Sequence, residues 1–433
     1  MSDTTSEGPR GPILDDHDVS SVLGARDVIG FSGTRKPLAG LIVRNILLTL
    51  ITFGIYRFWA RTRIRQFYWN HTSLLNDRFE YTGRGGELFV GFLIVMVLLV
   101  PLTIIYQLLE LLVITLVPGS EGVLTALYLA GIFWLIQFAY FRARRYRLTR
   151  TAWRGIHAGQ TGSGVAYATR SFGWALANIL TLGITVPWGY VALQRYEITN
   201  AIFGRTNFGY AGQAREVFRW WWPVLLCFFL AGVSWALLIF TNLENSPDIS
   251  QLETIEDPDL EGQILFSFFL FWGVRLLPGL VFALLAVGFL VRFRLAMVQY
   301  LFNVLSLAGA RFHSRMNKWR VFIYWLVSMV AIVMPFVLIF GVLIALAIES
   351  PTGGTLLTGF PAFLMFIGFM LAFLFIPNLA VHLLFLVPFV RHVVDTLSVE
   401  NGGEIETIVQ GVRDDPRFGE GLADAMSIDV GAI

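Results

Sequence analysis

The stretch TFGIYRFW at residues 52–59 recurs as TLGITVPW at residues 181–188, and this repeat decides the architecture that the sequence predicts. On the same register, offset by 129 residues without a gap, FEYTG at 79–83 matches FGYAG at 208–212. The identical pairs are Thr52 and Thr181, Gly54 and Gly183, Ile55 and Ile184, Trp59 and Trp188, Phe79 and Phe208, Tyr81 and Tyr210, Gly83 and Gly212, Glu87 and Glu216, and Phe89 and Phe218. Chance explains nine such identities poorly, so we predict a duplicated unit.

The composition indicates a membrane protein. Of 433 residues, 56% are hydrophobic and 14% are charged, and the mean hydropathy is +0.66. A soluble chain carries about 25% charged residues. The single cysteine, Cys227, excludes an intramolecular disulfide, and the chain has neither a zinc-ligand spacing nor a secretory signal pattern.

Eight apolar segments are each long enough to span about 30 Å of hydrocarbon. They are 38–57, 87–117, 122–141, 172–193, 220–242, 263–291, 319–348 and 357–390. Four connections are rich in arginine, whereas 243–262 is strongly acidic. The basic connections are 58–86, 142–171, 194–219 and 292–318. By the positive-inside rule, the basic connections and both termini are predicted to be cytoplasmic.

Two of the apolar segments conflict with strict alternation across the membrane. Basic stretches flank both sides of 38–57 and of 172–193, and each segment carries a Thr-x-Gly pattern, to which the second adds Pro187. Glycine and proline break helices, so we expect these two segments to re-enter or to lie in the interface. The sequence therefore predicts an all-α polytopic membrane protein with six spanning helices, two re-entrant or interfacial helical segments, and parallel internal repeats of about 129 residues.

The predicted domain organisation follows from these segments. Residues 1–30 are expected to form a disordered arm, 31–395 a membrane domain, and 396–433 an acidic cytoplasmic tail. The membrane domain would contain repeat units at 38–141 and 172–291 and a third hairpin at 319–390.

The first repeat unit resembles a known bacterial family. Residues 31–89 contain an opening F-x-G, a T-x-G-I-Y-x-x-W core, a basic run and a Y-x-G-x-x-x-E-L entry to the next helix. This pattern is similar to the YjgN-like inner-membrane family, a domain of unknown function, over roughly 31–395. The second unit departs, with Pro187 and Gly189 in place of Phe58 and Ala60. The resemblance implies a multi-pass protein of the bacterial cytoplasmic (inner) membrane and supplies no reaction, substrate or cofactor.

Ionisable groups inside apolar segments are costly in lipid and mark function or a partner. Glu110 and Arg275 are such groups, and we predict that they pair or share one polar cavity. Their uncharged companions would be Gln107, Gln137 and His382. Histidines such as His71, His157 and His313 lie in basic connections without metal-ligand spacing, so no metal site is predicted.

The arginine-rich connections also interleave aromatic side chains, such as Trp59 and Trp69 in the first and Trp153 in the second. At a membrane surface this pattern favours contact with the bilayer and its anionic headgroups, and disfavours nucleic acid. The oligomeric state is left open.

Three functional hypotheses remain from the sequence. Broken segments and intramembrane charges favour a transporter or channel-like carrier of a small solute or lipid. Parallel repeats and the arginine-rich surface favour a non-transporting scaffold or lipid-interacting protein. An intramembrane enzyme is disfavoured because catalytic motifs and cofactor-binding patterns are lacking.

Overall fold

A computed structural model describes residues 29–117, 119–242, 258–349 and 359–411. The helices in these ranges are α1 Arg35–Ile51, α2 Arg57–Asn70, α3 Gly85–Leu116, α4 Glu121–Thr149, α5 Gly164–Leu180, α6 Val186–Thr199, α7 Ala214–Asn242, α8 Pro258–Val304, α9 Lys318–Glu349, α10 Gly359–Ala380, a π-helical turn Val381–Leu386, α11 Val387–Thr396 and a 3-10 helix Gly402–Thr407. The strands are β1 Ile29–Phe31, β2 Thr72–Leu74, β3 Asp77–Tyr81, β4 Thr151–Trp153, β5 Ile156–Gln160, β6 Ala201–Phe203, β7 Thr206–Tyr210, β8 Leu305–Leu307, β9 Ala310–Ser314 and β10 Leu397–Glu400. Residues 1–28, most of the acidic connection (243–257) and the end of the predicted tail (412–433) lie outside the described residues.

The ten strands correct the predicted all-α fold class, which was wrong. They form one antiparallel sheet in chain order, β1 to β10, curled into a nearly closed barrel. Among the described residues no pairing joins β10 to β1. Eight of these strands, β2 to β9, come from the connections that were interpreted as basic loops. Each strand has only three to five residues, too few for a clear alternating pattern.

The connections between successive strands alternate between helical pairs and two-residue turns. A pair of helices lies between β1 and β2, between β3 and β4, between β5 and β6, between β7 and β8, and between β9 and β10. Two-residue turns make the other four connections. One turn contains Arg154 and Gly155, with φ of 50° and 75°, and another contains Ala308 and Gly309, with φ of 51° and 86°. Such left-handed pairs are typical of tight β-hairpins. The repeating element is therefore strand, helical pair, strand, and it occurs five times in the described chain.

The register is the same in all five elements. The last residue of the odd-numbered strand pairs with the first residue of the even-numbered strand, as Tyr81 does with Thr151 and Gln160 with Ala201. In each case a helix starts four residues after that strand ends. Every helical pair therefore leaves from, and returns to, the same end of the barrel.

Apolar side chains fill the barrel. The cluster draws on all ten strands, with Trp153 at 1% exposure and Phe203 at 6% near its centre. Ile405 and Ile408 from the C-terminal 3-10 segment complete the cluster. The described chain thus continues in the barrel core beyond residue 395, where the sequence predicts the tail to begin.

Six described helices are long and apolar enough to cross a membrane. They include α3, α4, α7, α8, most of α9, and the run from α10 through α11. The pairs α1–α2 and α5–α6 are shorter. In each of them the first helix has 17 residues and the second has 14. Neighbouring pairs pack in chain order, and α10 packs on α1, so the five pairs form a ring at one end of the barrel.

The repeat signature builds the turns at the tips of the two short pairs. Gly54 and Gly183 have φ of 90° and 86°, and the hydroxyls of Thr52 and Thr181 donate to carbonyls one helical turn earlier. The exposed fraction of Phe53 at the first tip is 97%, and that of Leu182 at the second is 86%. An apolar tip on a helical hairpin is the geometry that a re-entrant segment requires.

Candidate functional site

A cavity of about 850 Å³ lies between the first, second and fifth helical pairs. Its walls are formed by α1 and α2, the end of α4, and the run from α10 to α11. Thr72, Phe79 and Thr151 line it at the helix-facing end of the barrel. Because Phe79 also packs against the barrel core, the cavity ends there.

Five arginines line this cavity and form two rows. They are Arg57, Arg61 and Arg65 on α2 and Arg144 and Arg147 on α4. Four-residue spacing places the three α2 side chains on one helix face, with a rise of about 6 Å per step. None of the described residues that line the cavity is acidic. One region of the described lining is therefore rich in guanidinium groups.

The remaining lining is mainly apolar. It comes from α1, α2 and the α10–α11 run, and includes Ile42, Ile46, Ile64, Leu374, Leu386 and Val390. The cavity therefore combines a cationic region with an apolar region, both of which belong to the ring of helical pairs.

A few polar side chains lie within the apolar lining. Asn45 is 2% exposed, and its Nδ2 donates to the carbonyl of Ala60 at 3.3 Å. Its Oδ1 has no hydrogen-bond partner among the described residues. The Tyr68 hydroxyl lies 3.3 Å from Nδ1 of His382, and burial raises the pKa of Tyr68, so the hydroxyl stays protonated. His382 belongs to the π-helical turn, a local distortion that is frequent at functional sites.

Arg144 links the cavity to the third helical pair. Its Nη1 lies 3.1 Å from Oε2 of Glu197, whose side chain is 2% exposed. The Tyr167 hydroxyl donates to the other carboxylate oxygen at 2.7 Å. Burial, followed by the neighbouring carboxylate, raises the pKa of Tyr167, which keeps this donor protonated. Glu197 was missed because its equivalent in the first unit is Tyr68, so the repeat does not mark it.

The other signature residues form a structural framework. Trp59 packs on Phe89 with ring centroids 5.8 Å apart, and Trp188 packs on Phe218 at 5.5 Å. Glu87 accepts hydrogen bonds from the Tyr146 hydroxyl at 2.7 Å and from Arg150 at 2.8 Å. Its repeat partner, Glu216, interacts with the hydroxyl of Tyr300. The residues of the sequence repeat therefore make the ring contacts and hydrogen bonds that stabilise each unit.

The predicted intramembrane pair is not brought together. Glu110 lies on α3, which packs against α2 and α4, whereas Arg275 lies on α8, which packs against α7 and α9. Arg275 donates to the carbonyl of Phe271 at 3.1 Å, and its guanidinium carbon lies 3.7 Å from that ring's centroid. Gln107 is exposed and Gln137 is half-buried. Of the five predicted site residues, His382 alone lines the described cavity.

The row of three arginines on α2 is not repeated in the third helical pair. At the equivalent positions, offset by 129 residues, the α5–α6 pair carries Val186, Tyr190 and Gln194. A helical pair of this shape therefore forms without the arginine row. The interpretation of these arginines as general headgroup anchors overlooked their i, i+4, i+8 spacing, which is the sequence signal for a single cationic face.

Comparison with known proteins identifies the family to which the chain belongs. The family model described as bacterial protein of unknown function, DUF898, matches residues 27–425. The chain belongs to this family. The six apolar helices, together with the names of the two relatives described next, show that this DUF898 protein is an integral membrane protein, as predicted. No solved structure matches the chain.

Two curated relatives share the name inner membrane protein YjgN. The Salmonella typhimurium LT2 protein is 29% identical over 146 residues, which are 33% of this DUF898 chain and 34% of that protein. The Escherichia coli K12 protein is 36% identical over 61 residues, 14% of this chain and 15% of that protein. The matched stretches span about a third or less of those relatives. The resemblance to the YjgN-like family is thereby confirmed.

Proposed function

We propose that this DUF898 protein binds an anionic membrane lipid in the arginine-lined cavity. The observation that supports this most is the joining of five arginines and an apolar wall in one cavity within the ring of helices. The headgroup would lie at the arginines and a hydrocarbon chain along the apolar lining.

The arginine chemistry favours a phosphate-bearing headgroup. Guanidinium groups present paired N–H donors that match phosphate oxygens, and such charge-assisted hydrogen bonds are stronger than neutral ones. Arg61, Arg65, Arg144 and Arg147 are half-buried, so solvent weakens their attraction to an anion only in part.

The same features favour a lipid-interacting protein over a channel-like carrier. The barrel interior is packed, and Phe79 separates it from the cavity, so a solute path along the barrel axis has no support. Lipid transport by the ring of helices stays a prediction, as does the absence of enzymatic activity. The binding proposal requires neither transport nor catalysis.

Replacing both Arg61 and Arg147 by glutamine is expected to weaken binding of an anionic lipid about tenfold or more, because each charge-assisted hydrogen bond contributes about 1.5–3 kcal/mol before solvent screening. Binding is measured by native mass spectrometry of detergent-solubilised protein titrated with phosphatidylglycerol. Arg63→Gln removes the same charge from α2 outside the cavity lining and serves as the control. Equal losses in the control and the double variant would exclude the cavity as the site.

We also infer that the protein resides in the inner membrane with its barrel in the cytoplasm. The relatives' names and the positive-inside rule support this placement, because the barrel contains the four arginine-rich connections. In a Cys227→Ser background, Arg205→Cys at a barrel turn should resist a membrane-impermeant thiol reagent added to intact cells. Gly122→Cys, exposed at the far end of the second helical pair, should react. The opposite labelling pattern would reverse the orientation.

A further inference from the structure

The uncharged polar side chains of the cavity lining indicate what else the ligand's headgroup contains. Among them are Asn45 and Thr49 on α1, Thr72 on β2 and Thr151 on β4. We infer that the cavity takes a phosphate-bearing lipid whose headgroup also carries hydroxyl groups, as a glycerol or a sugar does. This inference rests on the proposed function and specifies the class of headgroup that the site would bind.

Two threonine hydroxyls of the lining are committed as donors to the backbone. Thr49 donates to the carbonyl of Asn45 at 2.7 Å, and Thr72 donates to the carbonyl of Tyr68 at 2.9 Å. Because a hydroxyl has one hydrogen and two lone pairs, each of these oxygens keeps its capacity to accept but not to donate. Both side chains are half-buried in the cavity wall. A polar ligand group that contacts them must therefore be a donor.

Thr151 shows the same arrangement with its acceptor already in use. Its hydroxyl donates to the carbonyl of Arg147 at 2.9 Å and accepts from the indole nitrogen of Trp69 at 3.0 Å. Within the described ranges, Thr49 and Thr72 have no such second hydrogen bond. A ligand hydroxyl would donate to them as the indole does to Thr151.

The amide oxygen of Asn45 is a third acceptor of the lining. Its Nδ2 donates to the carbonyl of Ala60 at 3.3 Å, which fixes the orientation of the amide. The Oδ1 has no partner among the described residues, although Asn45 is only 2% exposed. A buried acceptor without a donor costs free energy, which a ligand hydroxyl would recover. Asn45 and Thr49 are one helical turn apart on α1, so a headgroup with more than one hydroxyl can donate to both.

A hydroxyl suits these acceptors better than an ammonium group, the other donor that phospholipid headgroups carry. A half-buried ammonium requires a carboxylate or a similar anion as its partner. The described lining contains no carboxylate, and its three acceptors are neutral oxygens. A hydroxyl donates to such oxygens without bringing a further charge into the cavity.

The test compares lipids that differ in hydroxyl groups alone, on the intact protein in detergent. Phosphatidylglycerol and phosphatidylpropanol have the same charge and the same number of headgroup carbons, and the second lacks both hydroxyls. Phosphatidylethanolamine tests the ammonium donor, and phosphatidylcholine is the zwitterionic control without a donor. Affinities are measured by native mass spectrometry.

We expect phosphatidylglycerol to bind about fivefold or more tightly than phosphatidylpropanol. The double variant Thr49→Val/Thr72→Val keeps the branched shape of both side chains and removes their oxygens. It should reduce the preference to about twofold or less, while its unchanged affinity for phosphatidylpropanol shows that the cavity is intact. Thr115→Val is the matched control, because the Thr115 hydroxyl also donates to carbonyls of its own helix, at 3.2 and 2.7 Å, but lies outside the described lining.

The outcomes separate this inference from the proposed function. If phosphatidylglycerol and phosphatidylpropanol bind equally and the Arg61→Gln/Arg147→Gln variant weakens both, the lipid site stands and the hydroxyl inference is overturned. Tighter binding of phosphatidylethanolamine than of phosphatidylglycerol would also overturn it, in favour of an ammonium donor. If phosphatidylcholine binds as tightly as phosphatidylglycerol and no arginine variant changes affinity, both proposals fail.

Discussion

Replacing Trp153 by alanine is expected to lower the free energy of unfolding by about 3–5 kcal/mol. Trp153 is 1% exposed and contacts the cluster that fills the barrel. Its indole nitrogen donates to the carbonyls of Leu74 at 3.0 Å and Asp77 at 3.2 Å, in the neighbouring β-hairpin. The substitution removes the largest fully buried side chain of the described residues and leaves both carbonyls without this donor.

The effect is measured by denaturant titration of the protein in detergent, monitored by circular dichroism. Trp319→Ala is the matched control, because Trp319 is 67% exposed and its loss should change stability by about 0.5 kcal/mol or less. A Trp153→Ala variant as stable as the control would show that the barrel is not a folded core.

Replacing Glu197 by leucine is expected to cost about 2–4 kcal/mol of stability, since removing one member of a buried ion pair leaves its partner uncompensated. The variant deprives Arg144 of its counter-charge and Tyr167 of its acceptor. The estimate is reduced from that of a fully buried pair because the Arg144 side chain is 24% exposed.

The double change Glu197→Leu/Arg144→Met should recover part of this loss, because no unpaired charge then remains. Glu87→Leu provides a comparison. Its pair with Arg150 has side chains 34% and 17% exposed, so a loss of about 1 kcal/mol is expected. Additive effects of the Glu197 and Arg144 changes, within about 0.3 kcal/mol, would contradict the coupling.

The sequence predicts those parts of the fold that depend on long apolar runs. The six candidate spans were found because runs such as Gly85–Leu116 have a length and hydropathy that soluble helices lack. The barrel was missed because its pairings are non-local. Tyr81 pairs with Thr151, 70 residues later, and the intervening helices conceal the relation. The tight turn at Arg154 and Gly155 was a usable signal, but it lies inside a run of arginines that suggested a membrane-surface loop.

The candidate site shows a similar division. The sequence marks intramembrane charges as costly and predicts a pair, whereas Arg275 donates to a carbonyl of its own helix and lies over a ring of that helix. The cavity depends on closure of the helical ring, which brings Ile42 of α1 and Leu374 of α10 into one packed cluster. Neither the repeat nor the charge distribution along the chain specifies that closure.

The central claim is that a lipid phosphate occupies the arginine-lined cavity. Its most direct test is electron cryomicroscopy of the protein in nanodiscs that contain phosphatidylglycerol and cardiolipin. We predict phosphate density within hydrogen-bonding distance of Arg61 and Arg147, continuing into chain density beside Ile46 and Leu374. A cavity that holds only water, with ordered lipid confined to the outer surface of the helices, would contradict the claim.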